Sequence, residues 1–361
     1  MVREALFEGH NFTCACRVRG EIVCCGSRTN EAGNVEAFAI KLNKELKVVV
    51  DKVIEPSDYK IRAVTADRRG NVIIAGDVMT PDGESNAVVT KMNNKLNIIK
   101  DKICVHKRHH FVDVVTDKHN NIICVGWSQS HTLGSSLIVK FNSDLFITAQ
   151  KEFNHMSENQ FDTVVVDHSG NIVCAGFTYE SDDMCNAVIV RFDAFLNNME
   201  ASHYDEDTLG IINAVTLGDD GTYTGIGTVY PSNTNSRIDA VIVRLGVMLE
   251  IVDQTSILDS EFYDTSATND LGEVICAGYT YVNGVQRPCI MFLDRNLTLV
   301  NLKYKENHEG YVCSVIVDLH DNIICVGNLC NETIGYVVLL TEYDKAIDGW
   351  TTISEDVDGA T

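Results

Sequence analysis

Proline is nearly missing from this chain, at four residues in 361. With 25 glycines beside it, that scarcity excludes collagen-like and proline-rich low-complexity segments. No run of about 18 apolar residues occurs, which excludes a membrane-spanning helix. The first ten residues, from Met1 to His10, lack the apolar core of a secretory signal. They predict a chain that stays in the cytoplasm or assembles inside the cell. Basic charge is also short: 29 Lys and Arg stand against 51 Asp and Glu, a net −22. A phosphate backbone repels such a surface, so nucleic acid is not an expected partner. Anionic lipid is disfavoured for the same reason. The 13 cysteines are too sparse for a disulfide scaffold, and being odd in number they leave at least one unpaired within the chain. No stretch sustains a 3.6-residue apolar period, so no helix is predicted.

What the sequence does have is repetition. Asp67-Arg-Arg-Gly-Asn-Val-Ile-Ile-Ala-Gly76 returns as Asp117-Lys-His-Asn-Asn-Ile-Ile-Cys-Val-Gly126 and as Asp167-His-Ser-Gly-Asn-Ile-Val-Cys-Ala-Gly176. Weaker copies end at Gly26, Gly227, Gly278 and Gly327. The seven landmark glycines are spaced 50, 50, 50, 51, 51 and 49 residues apart, and the units fill residues 1–361 as one domain. Residues 355–361 read as an acidic tail.

Each unit reads as four strands. In the third, Phe111–Thr116 is followed by an Asp-x-x-Asn-Asn turn, then Asn121–Gly126, Leu137–Phe141 and Leu145–Ala149. Asp or Asn caps such a turn from its own side chain, and Gly or Asn supplies the positive φ. Four antiparallel strands at a period near fifty suit a β-propeller blade. The prediction is an all-β chain, a single seven-bladed β-propeller. For closure, both Val2–Phe7 and Ala346–Ile353 are candidates to complete the last blade; the amino-terminal segment is favoured.

The run Asp167 to Thr178, with Ala187 to Asp193, resembles the seven-bladed propeller repeats of the bacterial SBBP/delta-60 type. The resemblance covers about 340 residues at the level of pattern, implies the fold, and carries no shared activity. The first unit departs from it, with Arg17 in place of the turn Asp. The fifth departs too, with Gly218 to Gly221 as its turn and Gly225 in the cysteine position.

The residues that invite a chemical reading mostly obey the repeat. Cys24, Cys124, Cys174, Cys276 and Cys325 each stand two before a landmark glycine; equivalent slots lie a blade apart and cannot share a metal or a disulfide. They read as small core hydrophobes in a reducing compartment. Cys14, Cys16, Cys24 and Cys25 cluster but lack zinc spacing. The aspartates Asp67, Asp117, Asp167, Asp270 and Asp318 belong to turns. Third-strand bases at Lys41, Lys91, Lys140, Arg191 and Arg244 suggest an anion ring, but Phe292 and Glu342 break it, so salt bridges are expected. Asp113, Asp162, Asn213 and Asp264 could line the channel, though in mixed register. His106-Lys-Arg-His-His110 reads as a solvated loop, Asp205-Glu-Asp207 with Gly210 lacks a third calcium ligand, and the sequons at Asn11, Asn296 and Asn331 carry little weight without a signal. No catalytic residue, cofactor or metal site is predicted.

Loop lengths are even, with only Tyr230–Arg237 longer. Such rims suit a non-enzymatic protein-binding or assembly scaffold, for instance in a viral particle. The alternatives are a carbohydrate-binding propeller, which calls for aromatic residues recurring in the loops, and a hydrolase or lyase at the channel mouth, which calls for two or three carboxylates or a His–carboxylate pair breaking the repeat on adjacent blades.

Overall fold

The computed structural model describes residues 2–56, 58–79, 83–104, 108–129, 134–153, 158–179, 185–204, 210–218, 220–229, 239–257, 260–268, 272–318, 320–330, 334–340 and 350–352. Blade one consists of His10–Val18, Glu21–Thr29, Val35–Leu42 and Val48–Ile54, paired antiparallel in that order. Blades two to six repeat the order, running from Lys60–Ala66 to Ile98–Ile103, His109–Thr116 to Ile147–Phe153, Asn159–Val166 to Asn198–Tyr204, Ile211–Leu217 to Ile251–Ile257, and Ser260–Thr268 to Leu299–Lys305. Blade seven holds Gly310–Val317, Ile323–Leu329 and Ile334–Leu340, and Val2–Glu8 completes it as the outer strand. The first strand of every blade touches those of both neighbours, and the strand of blade one meets that of blade seven. The result is a closed ring of seven blades, with the first strands around the axis.

The second strands show why the ring forms. Along Ile122–Ser128, Ile122 and Cys124 pack into a cluster shared with blade two, while Ile123 and Val125 pack into one shared with blade four. Successive side chains on a strand point to opposite faces. An apolar run therefore needs a covered sheet on both sides, which only flanking blades supply. Seven such clusters fill the seven gaps between blades.

The landmark glycines have a geometric cause. Each inner strand is bulged next to its second strand, as between Phe111 and Asp113. The bulge drives a carbonyl onto the glycine: a Cβ on Gly126 would lie 2.0 Å from the oxygen of His110, and one on Gly76 would lie 2.0 Å from that of Lys60. No other residue fits there.

One expectation is met, since the favoured amino-terminal segment closes blade seven, and one needs correcting. Leu145 does not begin the fourth strand, which starts at Ile147. It sits in the preceding turn at φ 60°, buried, as do Leu46, Leu96, Leu196, Leu249 and Leu297 at φ between 56° and 64°. A leucine in the left-handed region is strained, and its burial between blades offsets the strain. The other closure candidate, at the carboxy-terminal end, does not complete blade seven. Trp350–Thr352 pairs with Leu299–Lys305 and adds a fifth strand to blade six. Residues 355–361, the long 230–237 loop, His106, Asn331, Asp270 and 205–209 lie outside the described residues.

Candidate functional site

The two faces of the ring are built differently. Both turns inside a blade, first-to-second and third-to-fourth strand, lie on one face; the second-to-third loops and the connections between blades lie on the other.

On the turn face the repeated charges are tied together. Oδ1 of Asp67 accepts from the backbone N–H groups of Arg69 and Asn71 at 2.9 and 2.8 Å, and Oδ2 accepts from Nδ2 of Asn71 at 2.7 Å. Asp117 and Asp318 repeat the pattern with Asn121 and Asn322, and Asp167 holds Asn171 the same way. Lys91 then lies 3.2 Å from Asp67 and donates at 2.9 Å to the carbonyl of Ser143, in a turn of blade three. Lys140 joins Asp117 to the carbonyl of Ala194 in blade four, and Arg191 joins Asp167 to that of Val247 in blade five. Lys91, Lys140 and Arg191 are therefore inter-blade staples. Blade one uses a two-residue turn with Arg19 and Gly20 both at positive φ, and Glu21 replaces the missing aspartate as the partner of Lys41 at 2.8 Å. In blade seven the register puts Leu339, not Glu342, in the staple slot. The alignment on a strand-ending Asp fails there because blade seven is out of step with it.

The other candidates also take structural places. Cys24, Cys124, Cys174, Cys276 and Cys325 are buried in the gaps between blades, and burial pushes their thiols well above the ordinary value. Cys25, with Cys14 and Cys16, faces blade two, while Cys24 faces blade seven. Among the described residues no group of three His, Cys, Asp or Glu side chains is arranged to hold a metal ion. Asp113 accepts from the N–H of Val164 on the next inner strand at 2.9 Å, as Thr163 does from Val215 and Ser314 from Ala15. It is an inter-strand tie rather than a channel ligand. Asp162 and Asn213 occupy the bulges, one residue out of register with it, and the Asp264 side chain lies outside the description.

The loop face holds the groups that break the repeat. The slot after each landmark glycine carries Ser27, Asp77, Trp127, Phe177, Thr228, Tyr279 and Asn328. Asp77 of blade two is buried, yet Oδ1 lies 3.1 Å from Nδ1 of His110 in blade three and Oδ2 lies 3.5 Å from Nε of Arg62. The His110 ring stacks on Trp127, with centroids 3.9 Å apart and planes 15° apart. Beyond Trp127, between blades three and four, lies a recess of about 220 Å³ lined by Trp127, Phe177, Tyr179, Gln129, Glu158 and Gln160. Phe177 meets Tyr179 edge-on at 5.2 Å. Sequence reading missed both features. His110 belongs to a run expected to be a solvated loop, but it lies in the strand His109–Thr116. The aromatic signal recurs at the strand ends and not in the loops.

No family model matches the sequence, and no curated protein matches it. Among solved structures, a polysaccharide lyase of family PL25, an ulvan lyase bound to a glucuronate–rhamnose sulfate disaccharide repeat, is similar at 9% identity with a TM-score of 0.61, covering 96% of each chain. The β-propeller domain of the Trilobed protease from Pyrococcus furiosus, described as having an open velcro topology, is similar at 8% identity and 0.56, over 97% of this chain and 99% of that one. Sqt1 from Chaetomium thermophilum is similar at 12% identity and 0.53, over 92% and 97%. At such identities the likeness concerns the path of the chain alone, and what it establishes is a seven-bladed β-propeller.

Proposed function

We propose that this propeller is a non-enzymatic protein-binding scaffold that works inside a larger assembly, such as a viral particle. The observation that carries the reading is an apolar arc on the turn face. Phe146, Phe195, Val247 and Met248 are 63%, 81%, 49% and 59% exposed, in the matching turns of blades three, four and five. The same turns in blades one, two and six present Lys44, Glu45, Lys47, Asn94, Lys95, Asn97, Arg295 and Asn296. Lone exposed apolar residues are ordinary, but a run of them over consecutive blades marks an interaction surface. The staples hold these turns on a rigid frame, which keeps the ordering cost of binding low. Acidic Asp144, Asp193 and Glu250 share the turns. The partner is therefore a protein that presents apolar side chains flanked by Lys and Arg.

The bacterial SBBP/delta-60 resemblance belongs to this reading, supported by the Asp167–Thr178 pattern and implying no activity. The hydrolase or lyase alternative finds its His–carboxylate pair in His110 and Asp77. That pair, however, spends the carboxylate on Arg62 and one imidazole face on Trp127, so it supports positioning rather than proton transfer.

Gentle purification from the native source with mass spectrometry tests the scaffold. The intact chain should bring down a stoichiometric protein partner, and Phe195→Asp with Met248→Asp should release it while leaving the fold unchanged. A chain recovered alone, or a variant that keeps its partner, overturns the reading.

A further inference from the structure

We propose that the recess between blades three and four binds one neutral sugar ring, a pyranose unit of a glycan. The site lies on the face opposite the apolar arc and goes beyond the scaffold reading. Blades three and four are the one adjacent pair to carry aromatic residues in the slot after the landmark glycine, Trp127 and Phe177. Trp127 and Phe177 both line the recess, and Tyr179, 40% exposed, lines it as a third aromatic residue. The C–H face of a pyranose is apolar, and its hydroxyl groups point outward around the ring edge. A recess of aromatic walls with a few hydrogen-bonding groups matches that division. Gln129, Gln160 and Glu158 supply those groups: the amides both donate and accept, and the carboxylate accepts from paired hydroxyls.

Size and charge narrow the class. The volume of about 220 Å³ is below the roughly 300–1,000 Å³ of pockets for drug-sized ligands, so one ring is held at a time. The described lining contains no Lys, Arg or His, and its one charged group is Glu158. A sulfated or uronate sugar would face that carboxylate with no cation among the described lining residues to balance it, in a chain of net −22. The His110–Asp77 pair has its place here. It covers one face of the indole and fixes the ring, so that Trp127 is set before the ligand arrives.

The test uses the intact chain, a glycan array of neutral and anionic oligosaccharides, and saturation-transfer NMR with the methyl glycosides of glucose, galactose and mannose. The expected result is saturable binding of a neutral glycan. Tryptophan emission should change as it binds, because the chain has only Trp127 and the buried Trp350. Tyr179→Ala, at an exposed position, and Gln160→Ala should each weaken binding about tenfold or more. Phe195→Asp should leave it intact, which separates this site from the scaffold surface. Absence of neutral-glycan binding, binding untouched by Tyr179→Ala, or preference for sulfated glycans would each overturn the assignment.

Discussion

The guanidinium of Arg3, on the strand that closes blade seven, donates to the backbone carbonyl of Lys44 in a turn of blade one. Blade seven has Leu339 where blades one to four carry a basic staple, and Arg3 pairs directly opposite Leu339. The missing staple is supplied by the neighbouring strand. Closure is thus both a β-ladder and a side-chain joint. Arg3→Ala is expected to cost about 1 kcal/mol, the range of a single partly exposed hydrogen bond. Deletion of residues 2–8 should cost several times more and cause association, because it exposes the edge of Ile334–Leu340. Urea unfolding and size-exclusion chromatography read both effects.

Lys91 and Asp67 form a buried pair, so removing one partner should cost more than removing both. Lys91→Met leaves the Asp67 carboxylate without its cation, with an expected loss of about 3–5 kcal/mol. The double change Lys91→Met with Asp67→Asn should recover part of that loss. A double-mutant cycle by chemical denaturation measures the coupling, and simple additivity would sink the staple interpretation.

Acid should loosen the ring. Burial alone would raise Asp67 above its ordinary 3.8, but the Asn71 side chain and backbone N–H, with Lys91, outweigh it and hold the carboxyl lower. Asp117, Asp167 and Asp318 are held down by the same combination through Asn121, Asn171 and Asn322. A carboxylate depressed in the folded state is protonated first in the unfolded chain. Its stabilisation is therefore complete above about pH 5 and is lost as pH falls through 3.8 towards the folded values. Melting temperature should fall steeply from pH 5 to pH 3, and Asn71→Ala should make that fall shallower. A flat profile would contradict the geometry.

The thiols should be nearly silent in the native chain. Of the 13 cysteines, Cys330 alone is exposed, and burial together with Glu309 raises even that thiol. A thiol reagent at neutral pH should label one position slowly and the full set only after unfolding. Rapid labelling of Cys24 or Cys124 would mean that the gaps between blades open.

The fold was legible because the glycine landmark is a steric requirement, imposed wherever an inner-strand carbonyl crowds the second strand. The turn aspartates and the staple bases obeyed the same period. What escaped notice did not repeat. His110 and Asp77 are 33 residues apart, in different blades, and their slots hold other residue types elsewhere. Leu145 looked like the start of a strand because an apolar residue in a left-handed turn leaves no mark in composition. The aromatic slot could have been found by reading one residue past each glycine, where Trp127, Phe177 and Tyr279 stand.

Lys305 sits where the first and last described strands, Val2–Glu8 and Trp350–Thr352, come together. Its ammonium lies 2.5 Å from Glu4 of the first strand, and over the rings of Tyr336 and Trp350, the latter on the fifth strand of blade six. One buried side chain therefore touches both terminal strands. Tension applied between the ends of this chain would be carried by the seam of blades six and seven, and the ring would tear first at that seam, with the five-blade arc from blade one to blade five as the part that bears no load.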